Sequence, residues 1–226
     1  NATGSTKNVT ATNLRLAAEG SIGTSDRHVT TNIDNVSASA NTGSIYLTED
    51  DAAVVTNVTV TVTEFNSDAT TTDITDAAQS DLTTSTNGNI VLVATAGNIT
   101  LNDGSDVDQT SVTANGTDNI LIDALAGSIT ANANIVSGTG HITITAANNI
   151  EFTANVNVTT AAPGTISIDA ETGTLTMAGT ANVIATNSSA RLNAALDVIV
   201  GNVTATNVSI VSGEDIVNAT GSTKNV

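Results

Sequence analysis

The sequence predicts an all-β chain wound as a β-solenoid, and three observations carry that prediction. Short runs alternate β-branched with polar residues, many are followed by a second run eight or nine residues later, and successive pairs step by 22 to 30 residues, about 24 per coil. Helical periodicity is evident nowhere, so no significant helix is expected.

The runs are NLRL (13–16), GSIYL (43–47), NVTVTV (57–62), GNIVLV (88–93), NILI (119–122), GHITI (140–144), GTISI (164–168), ARLNA (190–194) and NVSI (207–210). Gly or Asn opens most of them, as expected of turn formers that bound strands. The second runs follow in order: Ile99 after Ile90, Ile129 after Ile120, Ile150 after Ile142, Leu175 after Ile166 and Ile216 after Val208. Because side chains alternate across a strand, Ile90, Leu92, Ile99, Ile120, Ile122, Ile129, Ile142, Ile144, Ile150, Ile166, Ile168, Leu175, Val208 and Ile210 are expected to face inward. One coil is expected over 140–163, with strands near 141–145, 149–153 and 155–159 and with Phe152, Val156 and Val158 completing its interior.

Residues 63–87, acid-rich and poor in aliphatics, break the rhythm and read as a surface excursion or an irregular coil. Elsewhere the abundance of Asn and Thr has a mechanical reading, since like residues stacked in successive coils form amide and hydroxyl ladders.

A longer period encloses the short one. NATGSTKNV occupies positions 1–9 and again 218–226, an offset of 217 residues. Residues 1–217 therefore read as one period of a tandem array and 218–226 as the start of the next copy. With strands about 4.8 Å apart, about nine coils give a rise of about 43 Å per repeat. Joining the copies sets Leu14 of the next one 23 residues after Val208, which is what an uninterrupted winding requires.

Composition agrees with such an architecture. Aromatic residues are 1% of the chain, with no Trp, one Pro and no Cys, so apolar burial has to come from stacked small aliphatics. At 39% hydrophobic and 12% charged, the chain is too apolar to read as disordered. The net charge of −17 comes from 22 acids against five bases, which disfavours nucleic acid and anionic membrane surfaces as partners. No stretch approaches the length of a membrane span, so insertion by this segment is not expected.

Runs such as GNIVLVATAGNITL (88–101), AGSITANANIVSGTGHITITAANNIEF (126–152) and GTISIDAETGTLTM (164–177) resemble the repeats of filamentous-haemagglutinin-type adhesins and other giant surface proteins. The resemblance covers most of 88–217 and lies in a G-x-I-x-[IL]-x-A rhythm. It implies a right-handed parallel β-helix, export to the extracellular cell surface and a part in attachment or cell-to-cell contact. The near-identical tandem copies depart from that family's usual look and shift the expectation from receptor binding towards a structural filament or stalk. Its partners would be further copies of itself, with surface glycans or other cells as contacts.

Candidate chemistry is sparse. His28 and His141 are the only histidines and no nucleophile-base pattern surrounds them, so no enzyme activity is expected. A carbohydrate-active β-helix of the tailspike or lyase type is the alternative, with Asp123, Glu151, Asp169 and Glu171 as a possible acidic stripe. Asp103, Asp106 and Asp108 in NDGSDVD, and Glu49, Asp50 and Asp51 in TEDD, are hard oxygen ligands grouped in loops, the chemistry that suits calcium. No other cofactor is expected. Among eleven N-x-[ST] sequons, Asn98 and Asn207 open strands and fit the geometry a glycan requires.

Overall fold

The computed structural model describes residues 7–221. Among them every regular element is a strand, and the strands form one 20-stranded ladder plus a separate two-stranded hairpin. Every pairing in the ladder is parallel, so the chain is a parallel β-solenoid. Among the described residues no helix is long and apolar enough to cross a membrane.

The ladder has three faces. The first stacks Ile45–Glu49, Ile90–Ala94, Ile120–Ala124, Ile142–Ala146 and Ile166–Ala170, then residues 190–194 and 208–212. On the second lie Ala53–Val55, Ile99–Leu101, Ile129–Ala131, Ile150–Phe152, Leu175–Met177, Val198–Val200 and Ile216–Asn218. The third begins with Leu82–Thr84, Thr110–Ala114, Asn134–Ser137 and Asn157–Ala161 and ends with residues 182–186 and 202–205. Val9–Ala18 stacks on Val29–Ala40, and the latter strand runs past all three faces, pairing in turn with Leu47, Val54 and Leu82.

Alternation in the sequence becomes alternation in burial. Ile120–Ala124, Ile142–Ala146 and Ile166–Ala170 each bury their first, third and fifth residues. The result is continuous columns, Ile90–Ile120–Ile142–Ile166 and Leu92–Ile122–Ile144–Ile168, closed at the corner by Ala94, Ala124, Ala146 and Ala170. Alanine fills this corner along the middle of the ladder, and Glu49 takes the equivalent place beside Ala94. Each fully buried Ile is worth about 2–3 kcal/mol relative to leaving it in water.

Twelve of the fourteen residues expected inward are buried, and Val208 and Ile210 pack against the core while staying half-exposed. Those two sit on the last described rung of the first face, where only one neighbouring coil covers them. In the coil at 140–163 the strands are Ile142–Ala146, Ile150–Phe152 and Asn157–Ala161, and Phe152, Val156 and Val158 are buried as expected. The third strand starts late because Asn155 takes a left-handed conformation at φ 68°.

Polar ladders run up the outside at the residue preceding each inward run. On the first face Ser21, Ser44, Asn89, Asn119, His141 and Thr165 form one column. In it each side chain accepts the backbone N–H of the next residue up, at 3.0, 3.0, 2.9, 2.8 and 3.2 Å. On the second, Asn98 accepts from Ser128, Ser128 from Asn149 and Asn149 from Thr174. On the third, Asn157 Nδ2 donates to Asn134 and Asn182 Nδ2 donates to Asn157. His141 is therefore a rung of a ladder, its Nδ1 accepting from the Thr165 amide.

Three expectations are corrected. Coil length varies beyond the expected 22 to 30 residues: the steps are 22 and 24 in the regular middle and 30 from Asn89 to Asn119, but 45 from Ser44 to Asn89 and 18 near the end. The run 57–62 is not a core strand, and the excursion starts earlier and ends earlier than 63–87. Val58 makes an isolated antiparallel bridge to Gln79, Thr61–Phe65 pairs antiparallel with Thr71–Thr75 as an exposed hairpin, and Leu82–Thr84 is already back in the ladder. The alternation in NVTVTV is that of a hairpin strand, which the period of two cannot tell from a solenoid strand. Lastly, Leu14 stacks through Val36 and Val55 on the second face, whereas Val208 lies on the first, so the two are not equivalent positions across a join. The repeated nonapeptide itself lies largely outside the described residues.

Candidate functional site

The loop 102–109, which leads from the second face to the third, rests on the base of the excursion one coil below. Ser105 N–H donates to Ser80 Oγ at 3.1 Å, and Ser105 Oγ donates to Asn57 Oδ1 at 3.1 Å, so the loop touches both ends of the inserted segment. A Cβ on Gly104 would lie 1.9 Å from Ser80 Oγ, which is why only glycine fits that approach.

Of the residues expected to gather here, the structure brings Asp106 and Asp108 together and adds Asp81, which the sequence reading missed. One carboxylate oxygen from each lies within 4.8 Å of those of the other two. Asp106 and Asp108 are exposed, and Asp81 is only 2% exposed. Asp103 stands close enough to act on Asp81 electrostatically, and Oδ1 of both Asp81 and Asp103 is buried without a hydrogen-bond partner. Burial, then the neighbouring carboxylates of Asp106, Asp108 and Asp103, push the Asp81 carboxyl up to about 8. Asp108 also accepts from the N–H and hydroxyl of Thr110, at 2.8 and 2.9 Å, which fixes its rotamer. A polar cavity of about 160 Å³ lined by Asp103, Gln109, Asn132 and Asn134 opens beside the cluster.

Asp81 was hidden because it belongs to an earlier coil. Its place is set by the strand that follows it, since Leu82 pairs with both Ala38 and Val112 and the Asp81 carbonyl accepts from Ala38 N–H at 2.8 Å.

The second acidic group, Glu49, Asp50 and Asp51, disperses. Lys7 Nζ pairs with Asp50 at 2.6 Å, Asn32 Nδ2 donates to Asp51 at 3.1 Å, and Glu49 turns into the interior. There it accepts from Thr31 Oγ1, from Ile33 N–H at 3.2 Å and from Asp51 N–H at 3.4 Å. Burial raises the Glu49 carboxyl above its ordinary value, and the hydrogen bonds only partly offset it. A carboxyl raised in the folded state contributes stability that is complete below its unfolded value, about 4.3, and is lost as pH rises through the folded value. Asp50, Asp51 and Lys7 are the charged groups around it. Glu49→Gln is therefore expected to gain stability relative to wild type between pH 4.5 and pH 7.5, read as the difference in melting temperature between the two proteins at each pH. A difference that is unchanged, or that moves the other way, contradicts the assignment.

The remaining sites are dispersed as well. Asn98 and Asn207 are exposed, as a glycan requires, and Asn98 heads the second ladder through its Oδ1 while Asn207 Nδ2 reaches Ser189 Oγ at 3.4 Å. His28 stacks against Tyr46 at 5.4 Å between ring centroids, and burial lowers its pKa. In the acidic stripe, Asp169 lies 3.6 Å from Arg191 and accepts from Asn193 Nδ2 at 2.7 Å, while Asp123 is raised by burial and then by Glu171.

The chain matches no known protein family, curated protein or solved structure.

Proposed function

We propose that the chain is a structural repeat unit of an extracellular or cell-surface filament, a stalk of the adhesin kind that mediates attachment or cell-to-cell contact. The observation that carries this reading is the nonapeptide NATGSTKNV, present at both ends of a chain whose whole architecture is coil stacked on coil. In such an architecture each coil contacts only its neighbours, so a tandem repeat lengthens the rod without requiring any new kind of contact.

The last described rung supports it. Ile216–Asn218 is exposed throughout, with Ile216 54% and Val217 43% exposed, and Val211 beside it is 46% exposed. Exposed apolar side chains on an outer rung offer a surface on which a further coil can stack. The likeness of 88–217 to filamentous-haemagglutinin-type repeats adds the expectation of export, and the acidic surface keeps neighbouring fibres apart. Further copies of the chain are then the principal partners, with surface glycans or other cells at the contact end.

The join is the demanding point. Carried across it, the second-face register sets Val217 against Asn13 of the next copy, a coil shorter than the 18-residue step that is the tightest described. Immunogold labelling of intact source cells with antibody raised against the exposed hairpin 61–75 tests the reading. Gold on filaments at the surface is expected, and gold confined to the cell interior contradicts it.

A further inference from the structure

We propose that Asp81, Asp106 and Asp108, with Asp103 beside them, form a calcium site that fastens the base of the hairpin excursion to the coil above it.

The cluster is more than acids on a surface. Asp81 is nine-tenths buried or more, one of its oxygens has no hydrogen-bond partner, and the same holds for an oxygen of Asp103. A buried carboxylate oxygen left unpaired costs free energy unless a cation or a proton meets it. The electrostatic neighbours of Asp81 are all acids, with no Lys or Arg among them. Oxygens that share one calcium at about 2.3–2.6 Å stand at most about 5 Å apart, and the three carboxylates meet that spacing. All are hard oxygen donors with no His or Cys among them, the set that calcium takes and softer metals decline.

The position gives the site a purpose. Asp81 closes the excursion, and Asp106 and Asp108 lie in the loop that already touches Asn57 and Ser80 at its two ends. A cation there joins the entry, the exit and the next coil, so that the exposed strands Thr61–Phe65 and Thr71–Thr75 project from a fixed base. The inference stands independently of the filament reading, because it concerns one coil and its neighbour.

The test uses the full chain stripped with chelator, titrated with calcium chloride by calorimetry and melted with and without it, against sodium chloride of equal ionic strength. One calcium per chain with a Kd of about 10⁻⁴–10⁻³ M is expected, and about 10 mM calcium raises the melting temperature by about 5 °C. Asp81→Asn weakens binding about tenfold or more. Asp106→Asn, on the exposed loop, does the same without touching a buried group, while the remote exposed Asp26→Asn leaves binding intact. Without calcium, Asp81→Asn melts above wild type because repulsion is relieved. If calcium shows no saturable binding, if it stabilises Asp81→Asn and Asp106→Asn as much as wild type, or if a proton alone occupies the cluster so that calcium changes nothing, the proposal is overturned.

Discussion

Ile144→Asp unwinds the middle of the rod. Ile144 is fully buried in a column between Ile122 below and Ile168 above, both aliphatic. An aspartate there puts a carboxylate between two stacked aliphatic side chains and out of water, at a cost of about 4 kcal/mol or more. Truncation alone, Ile144→Ala, costs about 3 kcal/mol by lost burial and the cavity left behind, so the difference between the two variants isolates the charge. Because coils couple to nearest neighbours, amide exchange should accelerate over 120–170 first and leave 45–49 protected longest. Unchanged melting of Ile144→Asp would show that this position does not face the core.

Gly127→Val is the second large effect, and it acts through backbone. A Cβ on Gly127 would stand 1.8 Å from the Gly97 carbonyl oxygen and 2.8 Å from the Asn98 amide nitrogen, all in the main chain of the coil below. No side-chain rotation relieves such a clash, so the two coils have to part. The bonds around it are then strained, among them Ser128 N–H to Asn98 Oδ1 at 2.9 Å and Asn148 N–H to the Gly127 carbonyl at 3.0 Å. A loss of about 3 kcal/mol is expected, the upper range for overpacking, measured by denaturant unfolding. Gly20→Val is the matched control: nothing lies within 4 Å of a Cβ built there, and its stability should barely move. Equal behaviour of the two variants would mean that the coils are not held at this spacing.

The regular coils were legible because one physical rule generates them. Alternation fixes which side chains face inward, and stacking repeats that choice, so Ile90, Ile120, Ile142 and Ile166 could be aligned before their pairing was seen. The ladders followed for the same reason, since Asn89 and Asn119 precede equivalent strands. What the sequence concealed was long-range. Nothing local separates a hairpin strand such as 61–65 from a solenoid strand, and the acid-rich composition drew the excursion too far towards 87, although Leu82 was already back in the core. Asp81 went unrecognised because its neighbours Asp106 and Asp108 belong to the following coil, and an irregular step of 30 residues on the first face obscured the register that superposes them. Leu14 was aligned with Val208 by step length alone, yet step length does not say which face a strand occupies.

The filament account turns on whether the winding passes through the join between copies. The direct measurement is the shape of a chain carrying two full 217-residue copies in tandem, compared with the single copy by electron microscopy and small-angle scattering. A continuous winding predicts one unbroken rod, its cross-section unchanged and its length increased by about 40 Å. Two blocks separated by a bend or a flexible gap, or a thicker object of unchanged length, would contradict it.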